Sequence, residues 1–149
     1  NGKKKSEGKF KDGKKEGTWN YWHENGQKAK EVIYADGVGE ILYRCEIHEN
    51  GKKKSEGKFK DGKKEGTWSY WREDGGVTAG TFKDGKMTGK WIELRVNGVK
   101  KSEGYYKNGK KNGTWTFWKE YSDRPWICNE SYVKNFKDGV EIKGIDESS

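Results

Sequence analysis

The stretch NGKKKSEGKFKDGKKEGTW, residues 1–19, recurs without a change at residues 50–68 and with substitutions at residues 97–115. Weaker partial copies lie between these, at residues 25–43 and 74–91. A unit of about 24 residues is therefore repeated along the chain, as is typical of proteins in which each unit packs mainly against its neighbours. The six units span residues 1–24, 25–49, 50–73, 74–96, 97–120 and 121–149, the last being a degenerate cap.

Asn-Gly and Asp-Gly pairs punctuate the units at short intervals. Both pairs favour the positive φ angles that tight β-hairpin turns require. They fall at residues 1–2, 12–13, 25–26, 36–37, 50–51, 61–62, 74–75, 84–85, 97–98, 108–109 and 138–139. The intervals leave room for strands of about five to eight residues and for no helix of ordinary length.

Between these turns, side-chain polarity alternates with a period of two. Residues 6–11 alternate small or apolar side chains with charged ones, and residues 140–143 alternate in the same way. In the second unit this alternation predicts one apolar face made of Ile41, Tyr43, Cys45 and Ile47. A period of two indicates strands with one more apolar face. We therefore expect an all-β fold, an elongated single-sheet antiparallel meander of about six β-hairpin repeats.

The composition predicts which side chains stabilise such a sheet. Hydrophobic residues make up 29% of the 149 residues and charged residues 38%, which alone would be typical of a disordered chain. However, eight Trp, eight Tyr and five Phe supply large rings, each of which can bury roughly 150–250 Å². We expect a folded chain with an aromatic rather than an aliphatic core.

The segment Glu7 to Trp19, followed by Tyr21-Trp22 and Asn25-Gly26, resembles the MORN repeat, named for membrane occupation and recognition nexus. It is most similar to the bacterial variant found in proteins described as antitoxins, with the pattern Gly-x-aromatic-x-(Asp/Asn)-Gly-Lys-x-x-Gly-x-Trp. The same pattern returns at residues 57–68, 80–91 and 104–115. The resemblance implies a β-hairpin repeat fold and functions that range from lipid association and scaffolding to dimerisation and toxin neutralisation. The second and sixth units lack the Gly-x-Trp ending, so we expect irregular strands there.

Candidate catalytic and metal-binding groups are scarce. His23 and His48 each precede Glu-Asn-Gly, and Arg72 and Lys119 hold the same place in later units, which predicts a polar surface position at a strand end. The sequence contains no Ser/His/Asp arrangement, glycine-rich phosphate loop or paired-cysteine spacing. Lysines follow the Asp-Gly turns where a calcium loop would need oxygen ligands. We therefore predict that the protein is not an enzyme and uses no cofactor, metal or small-molecule substrate.

The two cysteines have separate predictions. Cys45 lies in the apolar alternation of the second unit and is expected to pack as a small hydrophobic residue. Cys128, beside the insertion at residues 121–126, could pack in the same way or form a disulfide with Cys45. A disulfide needs Cα atoms within about 7 Å, and the long separation of the two residues in an extended meander disfavours it.

The aromatic residues fall into two sets on opposite faces of the predicted sheet. The first set is predicted to form a structural spine: Phe10, Trp19, Tyr21, Phe59, Trp68, Tyr70, Phe82, Trp91, Trp115 and Phe117. Tyr105 or Tyr106 should extend it, and Gly8, Gly57 and Gly104 should leave space for its rings. The second set is Trp22, Trp71 and Trp118, expected near Lys9, Lys11, Lys58, Lys60 and Lys107. There the lysine stems either cover the indoles or form a binding surface with them.

Three functions remain open at this point. The first is a protein–protein interaction module, a scaffold or an antitoxin-like binder, with the insertion as its most specific element. Its candidate contact residues are Trp22, Trp71, Trp118, Tyr121, Arg124 and Trp126. The second is a self-assembling filament or surface-layer subunit joined through the open sheet edges. Its candidate edge residues are Lys5, Lys9, Val140 and Ile142.

The third function is binding to anionic lipid or another polyanion, suggested by a formal net charge of +8. Acidic residues such as Glu7, Asp12 and Glu16 are mixed among the lysines, so we expect no stripe of a single sign, and solubility is the favoured reason for the charge. The chain begins at Asn1 rather than Met, which slightly favours a processed, extracytoplasmic or cell-surface protein. Of the three functions, we favour the interaction module.

Overall fold

A computed structural model of the protein describes residues 5–120 and 130–143. These residues form twelve β-strands in one antiparallel sheet, in which the strands follow each other in chain order. The strands are β1 (Ser6–Lys11), β2 (Lys14–Trp22), β3 (Lys28–Ala35), β4 (Val38–Ile47), β5 (Lys53–Lys60), β6 (Lys63–Trp71), β7 (Val77–Lys83), β8 (Lys86–Leu94), β9 (Lys100–Lys107), β10 (Lys110–Trp118), β11 (Ser131–Lys137) and β12 (Val140–Ile142). The prediction of an all-β, single-sheet antiparallel meander of hairpins is confirmed. An apolar helix of membrane-spanning length does not occur in the described residues.

Two-residue turns close each hairpin at one end of the sheet, which we call the tight-turn end. Their first residue is Asp or Asn with φ near 50° and their second is Gly with φ of 76–84°. Two positive φ angles define a type I′ turn, whose twist matches that of the paired strands. These tight turns occupy residues 12–13, 36–37, 61–62, 84–85, 108–109 and 138–139.

The other Asn-Gly and Asp-Gly pairs lie in wider turns at the opposite end, the wide-turn end. Only the glycine has a positive φ there, as in Gly26 with 87°. The Gly26 amide donates to the His23 carbonyl over 3.0 Å, and the Gln27 amide donates to Oδ1 of Asn25 over 3.0 Å. The expectation that every such pair forms a tight turn is therefore wrong at these sites. Asn and Asp serve there by bonding the amide two residues further along.

Each Gly-x-Trp sequence forms a bulge in the sheet. The pairing of β1 with β2 passes from Glu7–Asn20 to Lys9–Glu16, so three residues, 17–19, lie opposite one glycine, Gly8. Gly17 has a φ of 71°, which glycine adopts without strain. The same irregularity recurs in the hairpins β5–β6, β7–β8 and β9–β10. These bulges set the position of the following tryptophan.

The second unit replaces this bulge with a smaller one. Glu31 pairs with Tyr43 and Val32 pairs with Ile41, so Leu42 has no partner on β3. Because neighbouring strand residues face opposite sides, Ile41 shares a face with Val32 while Tyr43 lies on the other face. The prediction that Ile41 lies with Tyr43, Cys45 and Ile47 is therefore wrong. In the sixth unit, the three described pairs of β11 with β12 are regular, contrary to expectation.

The core is a row of rings on one face of the sheet, which we call the spine face. Trp19, Trp68, Trp91 and Trp115 lie there and are only 1–5% exposed. The opposite face, which we call the open face, carries Trp71 and its equivalents, which are half-buried. A single sheet has no second layer to cover its core, so neighbouring units must cover each ring.

Candidate functional site

The spine face is built from a tryptophan that lies over a glycine of the preceding strand. A Cβ added to that glycine would overlap the indole ring, so no other residue fits beneath it. The four pairs are Gly8 with Trp19, Gly57 with Trp68, Gly80 with Trp91 and Gly104 with Trp115. Each indole N–H donates to the backbone carbonyl of the residue after the glycine over 2.9–3.1 Å. The Gly-x-aromatic and Gly-x-Trp segments of a unit therefore interlock.

Aromatic contacts join these units into one row. Phe59 meets Trp68 edge to face at 5.1 Å between ring centroids, and Trp68 meets Phe82 of the next unit at 6.1 Å. The fifth unit places Tyr106 in this row, 5.1 Å from Trp115. The remaining predicted spine residues lie on the same face: Phe10, Trp19, Tyr21, Tyr70, Trp91 and Phe117. Further members of this row were not predicted from the sequence, among them Val32, Tyr34, Met87, Tyr132 and Phe136. Most of them lie in the degenerate second and sixth units.

Lysines cover the row from the solvent side. Lys15 Nζ lies 4.7 Å from the Trp19 ring centroid and donates to the Tyr21 hydroxyl over 2.8 Å. The hydrogen bond to Tyr21 raises the pKa of Lys15. Burial acts to raise the pKa of Tyr21, but the hydrogen bonds to Lys15 and Tyr34 outweigh it and the pKa is lowered. A lysine beside a tyrosine of lowered pKa is also an arrangement used in acid–base catalysis.

Comparison of the repeats shows which of the two roles, covering the ring or acid–base catalysis, the lysine has in each unit. Lys64 lies 4.6 Å from the Trp68 ring and donates to the Tyr70 hydroxyl over 2.6 Å. In the fifth unit Lys111 covers Trp115 at 4.8 Å, but the place of the tyrosine is taken by Phe117, which has no hydroxyl. The lysine is retained where the proton-carrying group is absent. Covering the ring is therefore the function common to all three units.

The slot occupied by His23 and its equivalents links neighbouring units. His23 Nε2 donates to the Cys45 carbonyl and His48 Nε2 to the Trp71 carbonyl, both over 2.7 Å. Arg72 donates to the Leu94 carbonyl over 3.1 Å, and Arg95 to the Trp118 carbonyl over 2.8 Å. The prediction of a polar surface position at a strand end holds for Arg72, whose side chain is 41% exposed, but not for His48, whose side chain is only 11% exposed.

Lys119 is the last residue of this series, and it differs from the others, which donate to backbone carbonyls, because its Nζ donates to the side chain of Glu130 over 3.1 Å. Arg95 belongs to the series, although it was not among the residues predicted from the sequence. The spacing from His23 to His48 to Arg72 would have identified it.

The predicted partner tryptophans of the open face lie at its wide-turn end. Trp71 lies under Lys53, whose Nζ is 5.9 Å from the ring, and Lys53 pairs with Glu56 over 2.6 Å. Trp118 has the same arrangement with Lys100 at 5.5 Å, and Trp22 pairs across the strand with Lys28. The lysines expected beside them are instead in the tight-turn half of the sheet: Lys9, Lys11, Lys58, Lys60 and Lys107. That expectation is wrong because strand length separates the two groups.

The fourth unit interrupts the charged pattern of the open face. Val77 stands opposite Trp71, in the place that Lys53 and Lys100 take in other units. An apolar patch results, made of Val77, Ala79, Ile92 and Leu94, which pair across β7 and β8. All four are half-buried. Trp71 borders the apolar patch on one side, and the Lys100–Glu103 ion pair of 3.2 Å borders it on the other.

Cys45 is a free thiol and is 1% exposed on the open face. Burial raises its pKa, and the nearby carboxylate of Glu56 raises it further. Both effects disfavour the thiolate, the reactive form of cysteine. The other cysteine, Cys128, and the predicted partner residues Tyr121, Arg124 and Trp126 lie outside the described residues.

The predicted edge residues lie on the two outer strands, except Lys5, which directly precedes β1. Lys5 accepts a bond from the Trp22 amide over 2.9 Å, so its carbonyl faces β2, and Lys9 pairs with Glu16 of β2. On β12, Val140 is 69% exposed and Ile142 is 53% exposed. Each of these strands has a partner on one side only among the described residues.

The described residues contain no group of three or more His, Cys, Asp or Glu side chains that could hold a metal ion. One open hollow in this part of the chain is lined by Arg72, Arg95 and Glu120. Its arginines are engaged, since Arg72 pairs with Glu93 over 3.2 Å and Arg95 with Glu120 over 2.9 Å. Comparison with protein-family models and with curated proteins finds no match for this chain.

Proposed function

We propose that the chain is a non-catalytic interaction module that binds another protein through the apolar patch of its open face. The observation that carries this proposal is the exchange of a charged pair for two apolar side chains in the fourth unit, where β7 differs from β5 and β9. Val77 and Ala79 stand where β5 has Lys53 and Glu56. Since the same fold is built with the charged pair in β5, stability of the sheet does not require the exchange.

The surroundings of the apolar patch support a protein partner. Protein interfaces combine an apolar centre, depleted of charge and enriched in aromatic residues, with a polar rim. Trp71 supplies a half-buried aromatic ring beside the apolar patch. Ion pairs flank it on both sides, Lys53–Glu56 at 2.6 Å and Lys100–Glu103 at 3.2 Å. This part of the open face therefore has both components.

The resemblance to antitoxin-type MORN repeats is in line with the proposal. It implies a binding protein without a reactive centre, and toxin neutralisation is one such role. The spine face also supports a non-catalytic role, because its lysines and tyrosines contribute to the packing of the repeated rings. Under this proposal the repeats are a rigid support that presents one specialised unit.

The test restores the charged residues that other units carry. The double variant Val77→Lys/Ala79→Glu should fold, because β5 accommodates the same residues. Wild-type protein and the double variant are used to capture partners from extracts of the source cells, and the affinity of the captured protein is then measured by calorimetry. We expect at least a tenfold loss of affinity in the variant, since buried apolar area at the centre of an interface is lost. The control is Thr18→Lys, which adds a lysine to the open face at β2, away from the apolar patch.

Equal affinity of wild type and double variant would refute the proposal. Loss of binding in the control variant as well would refute it too, because the effect would then be one of charge alone. Sedimentation of the purified chain distinguishes the remaining occupant, a second copy. If only a self-association is found, and if Val77→Lys/Ala79→Glu abolishes it, the partner is the chain itself.

Self-assembly through an outer strand is a second candidate, favoured by an internal comparison. The segment SEGKFK forms both β1 and part of β5, with the same sequence. Ser55 is buried to 7% exposure by its neighbour on β4 and Phe59 is half-buried, whereas Phe10 is 65% exposed. An identical strand therefore accepts a partner on both sides. Sedimentation that shows only monomers of the purified chain at millimolar concentration would reject this candidate.

A further inference from the structure

The fifth unit departs from the repeated sequence at three positions of the open face. Tyr105 stands where the other units have Lys9, Lys58 and Thr81, and Asn108 stands where they have Asp12, Asp61 and Asp84. Asn112 stands where the first and third units have Glu16 and Glu65. The first change exposes an aromatic ring, and the other two remove negative charge. All three residues lie on one hairpin, β9–β10, toward its tight turn.

Tyr105 is placed as an accessible platform. It is 54% exposed, whereas its neighbour Tyr106 is packed in the spine row. Its cross-strand partners are Lys90 on β8 and Asn112 on β10. Tyr105 therefore presents its ring from the open face, between a cation and an amide.

The hairpin that carries Tyr105 has lost the acidic residues of its equivalents. Residues 105–112 contain three lysines and no acidic residue, whereas residues 58–65 of the third unit contain four lysines and two acidic residues. We call four exposed side chains beside Tyr105 the basic strip: Lys83, Lys86, Lys107 and Lys110. None of these four forms an ion pair in the described part of the protein. Asp84 stays in the turn between Lys83 and Lys86, so an acidic residue is mixed among the lysines as expected, although residues 105–112 carry none.

The basic strip is arranged as two facing pairs. Lys83 stands directly opposite Lys86, and Lys107 directly opposite Lys110. Like charges in such positions repel and destabilise a hairpin. The two pairs lie about 10 Å apart, since two strand spacings of about 4.8 Å separate equivalent hairpins. The Gly109 amide donates to the Met87 carbonyl over 2.9 Å and so fixes the two turns side by side.

We propose that this hairpin pair binds single-stranded nucleic acid, with the basic strip on the phosphates and Tyr105 stacked on a base. A flexible strand can follow cations of fixed spacing while it turns an unpaired base onto a ring. Phosphates beside the lysines also relieve the repulsion within each pair. The aromatic platform favours a nucleic acid over a polyanion without bases. This surface is separate from the apolar patch, so the inference stands independently of the proposed function.

Fluorescence anisotropy with labelled oligodeoxythymidylate and oligouridylate of about 12 nucleotides tests the proposal. If the four lysines each neutralise one phosphate, the slope of log affinity against log salt should be near −3, at about −0.7 for each phosphate of a single strand. The variant Tyr105→Thr, which copies the fourth unit, should bind about tenfold more weakly with an unchanged slope. The double variant Lys107→Gln/Lys110→Gln should make the slope shallower by about 1.4.

The reversion Asn108→Asp/Asn112→Glu restores the acidic residues of the third unit and should also weaken binding. The matched control is Tyr132→Thr, which removes a tyrosine of similar exposure, 45%, from the spine face and should leave affinity unchanged. Far-ultraviolet circular dichroism checks that each variant keeps its strands. Comparison of the oligodeoxythymidylate and oligouridylate affinities shows whether binding depends on the sugar.

Three results would overturn the proposal. The first is no binding of either oligonucleotide at low salt, whether or not the protein binds vesicles of phosphatidylserine and phosphatidylcholine. The second is an affinity of Tyr105→Thr equal to that of wild type. The third is heparin competing as well as an unlabelled oligonucleotide, because charge alone would then explain the binding.

Discussion

Replacing Gly57 by Ala tests whether the space beneath a tryptophan decides the fold of a unit. A Cβ on Gly57 would overlap the ring of Trp68. The ring cannot move aside without losing contacts, because its N–H donates to the Lys58 carbonyl over 2.9 Å and Phe59 packs against it with the ring centroids 5.1 Å apart. The indole must therefore rise from the sheet or the strands must separate.

The size of the effect follows from the ring packing and the hydrogen bond that the methyl group disrupts. Overfilling a packed site costs about 1–3 kcal/mol, and the broken indole hydrogen bond adds about 1 kcal/mol. Alanine lowers the entropy of the unfolded chain relative to glycine, which offsets about 0.4–1 kcal/mol. We expect Gly57→Ala to lower the free energy of unfolding by about 1–3.5 kcal/mol. For a chain of this length that corresponds to a fall in Tm of roughly 3–14 °C.

Urea unfolding followed by tryptophan fluorescence and by circular dichroism measures this change. The control is Gly66→Ala in the bulge, where a Cβ meets nothing within 4 Å but φ is 74°; we expect a cost of about 1–2 kcal/mol there. In a Trp68→Leu background, Gly57→Ala should cost much less than in the wild type. A cost of Gly57→Ala no greater than that of Gly66→Ala, or the same cost with and without Trp68, would refute the reasoning.

Three further predictions concern the links between units and the titrating groups. Arg95→Ala should lower the free energy of unfolding by about 1–2 kcal/mol in urea titrations, because the Trp118 carbonyl loses its donor. Lys119→Ala removes only an exposed ion pair and should change the free energy of unfolding less. Burial raises the pKa of Tyr43 and of Cys45 in the folded protein. As the pH rises, the unfolded chain therefore loses these protons before the folded protein does, and the free energy of unfolding should fall above about pH 9 to 10. Urea titrations at several pH values measure this fall, which should be smaller in Tyr43→Phe. Cys45 should react with Ellman's reagent in urea but only slowly in the native protein, and fast native labelling would contradict its burial.

Local sequence was sufficient to predict the sheet because each signal is repeated. Asp61-Gly62 marks a turn, and the alternation on either side of it marks two strands, so errors at one copy are corrected by the others. The predicted spine lay on one face because the Gly-x-Trp bulge recurs in the same register. Where the repeat is degenerate, prediction was wrong, as for Ile41, whose face is set by the unpaired Leu42.

Contacts between units could not be predicted from the sequence in the same way. The bond from His23 to the Cys45 carbonyl joins residues that are separated by a whole hairpin, and no local pattern indicates it. Lys53 and Lys100 lie beside Trp71 and Trp118, where lysines from the other end of the strands were expected. Alternation in a sequence gives the face on which a side chain lies, but not which residues of neighbouring strands lie side by side. The contact of Lys15 with the Trp19 ring could not be predicted either, because it depends on the bulge between these two residues.

A chain that contains nearly identical copies provides its own reference for deciding which residues serve the fold. Residues shared by the units include the glycine, the tryptophan above it and the tight turn, and the structure gives each of them a packing or backbone reason. The fourth unit changes Lys and Glu of the open face to Val77 and Ala79, and the fifth unit introduces Tyr105 and removes two acidic residues. These changes leave the spine face intact. Since the framework requires neither change, the open face of these two units is where a function specific to this chain is to be sought.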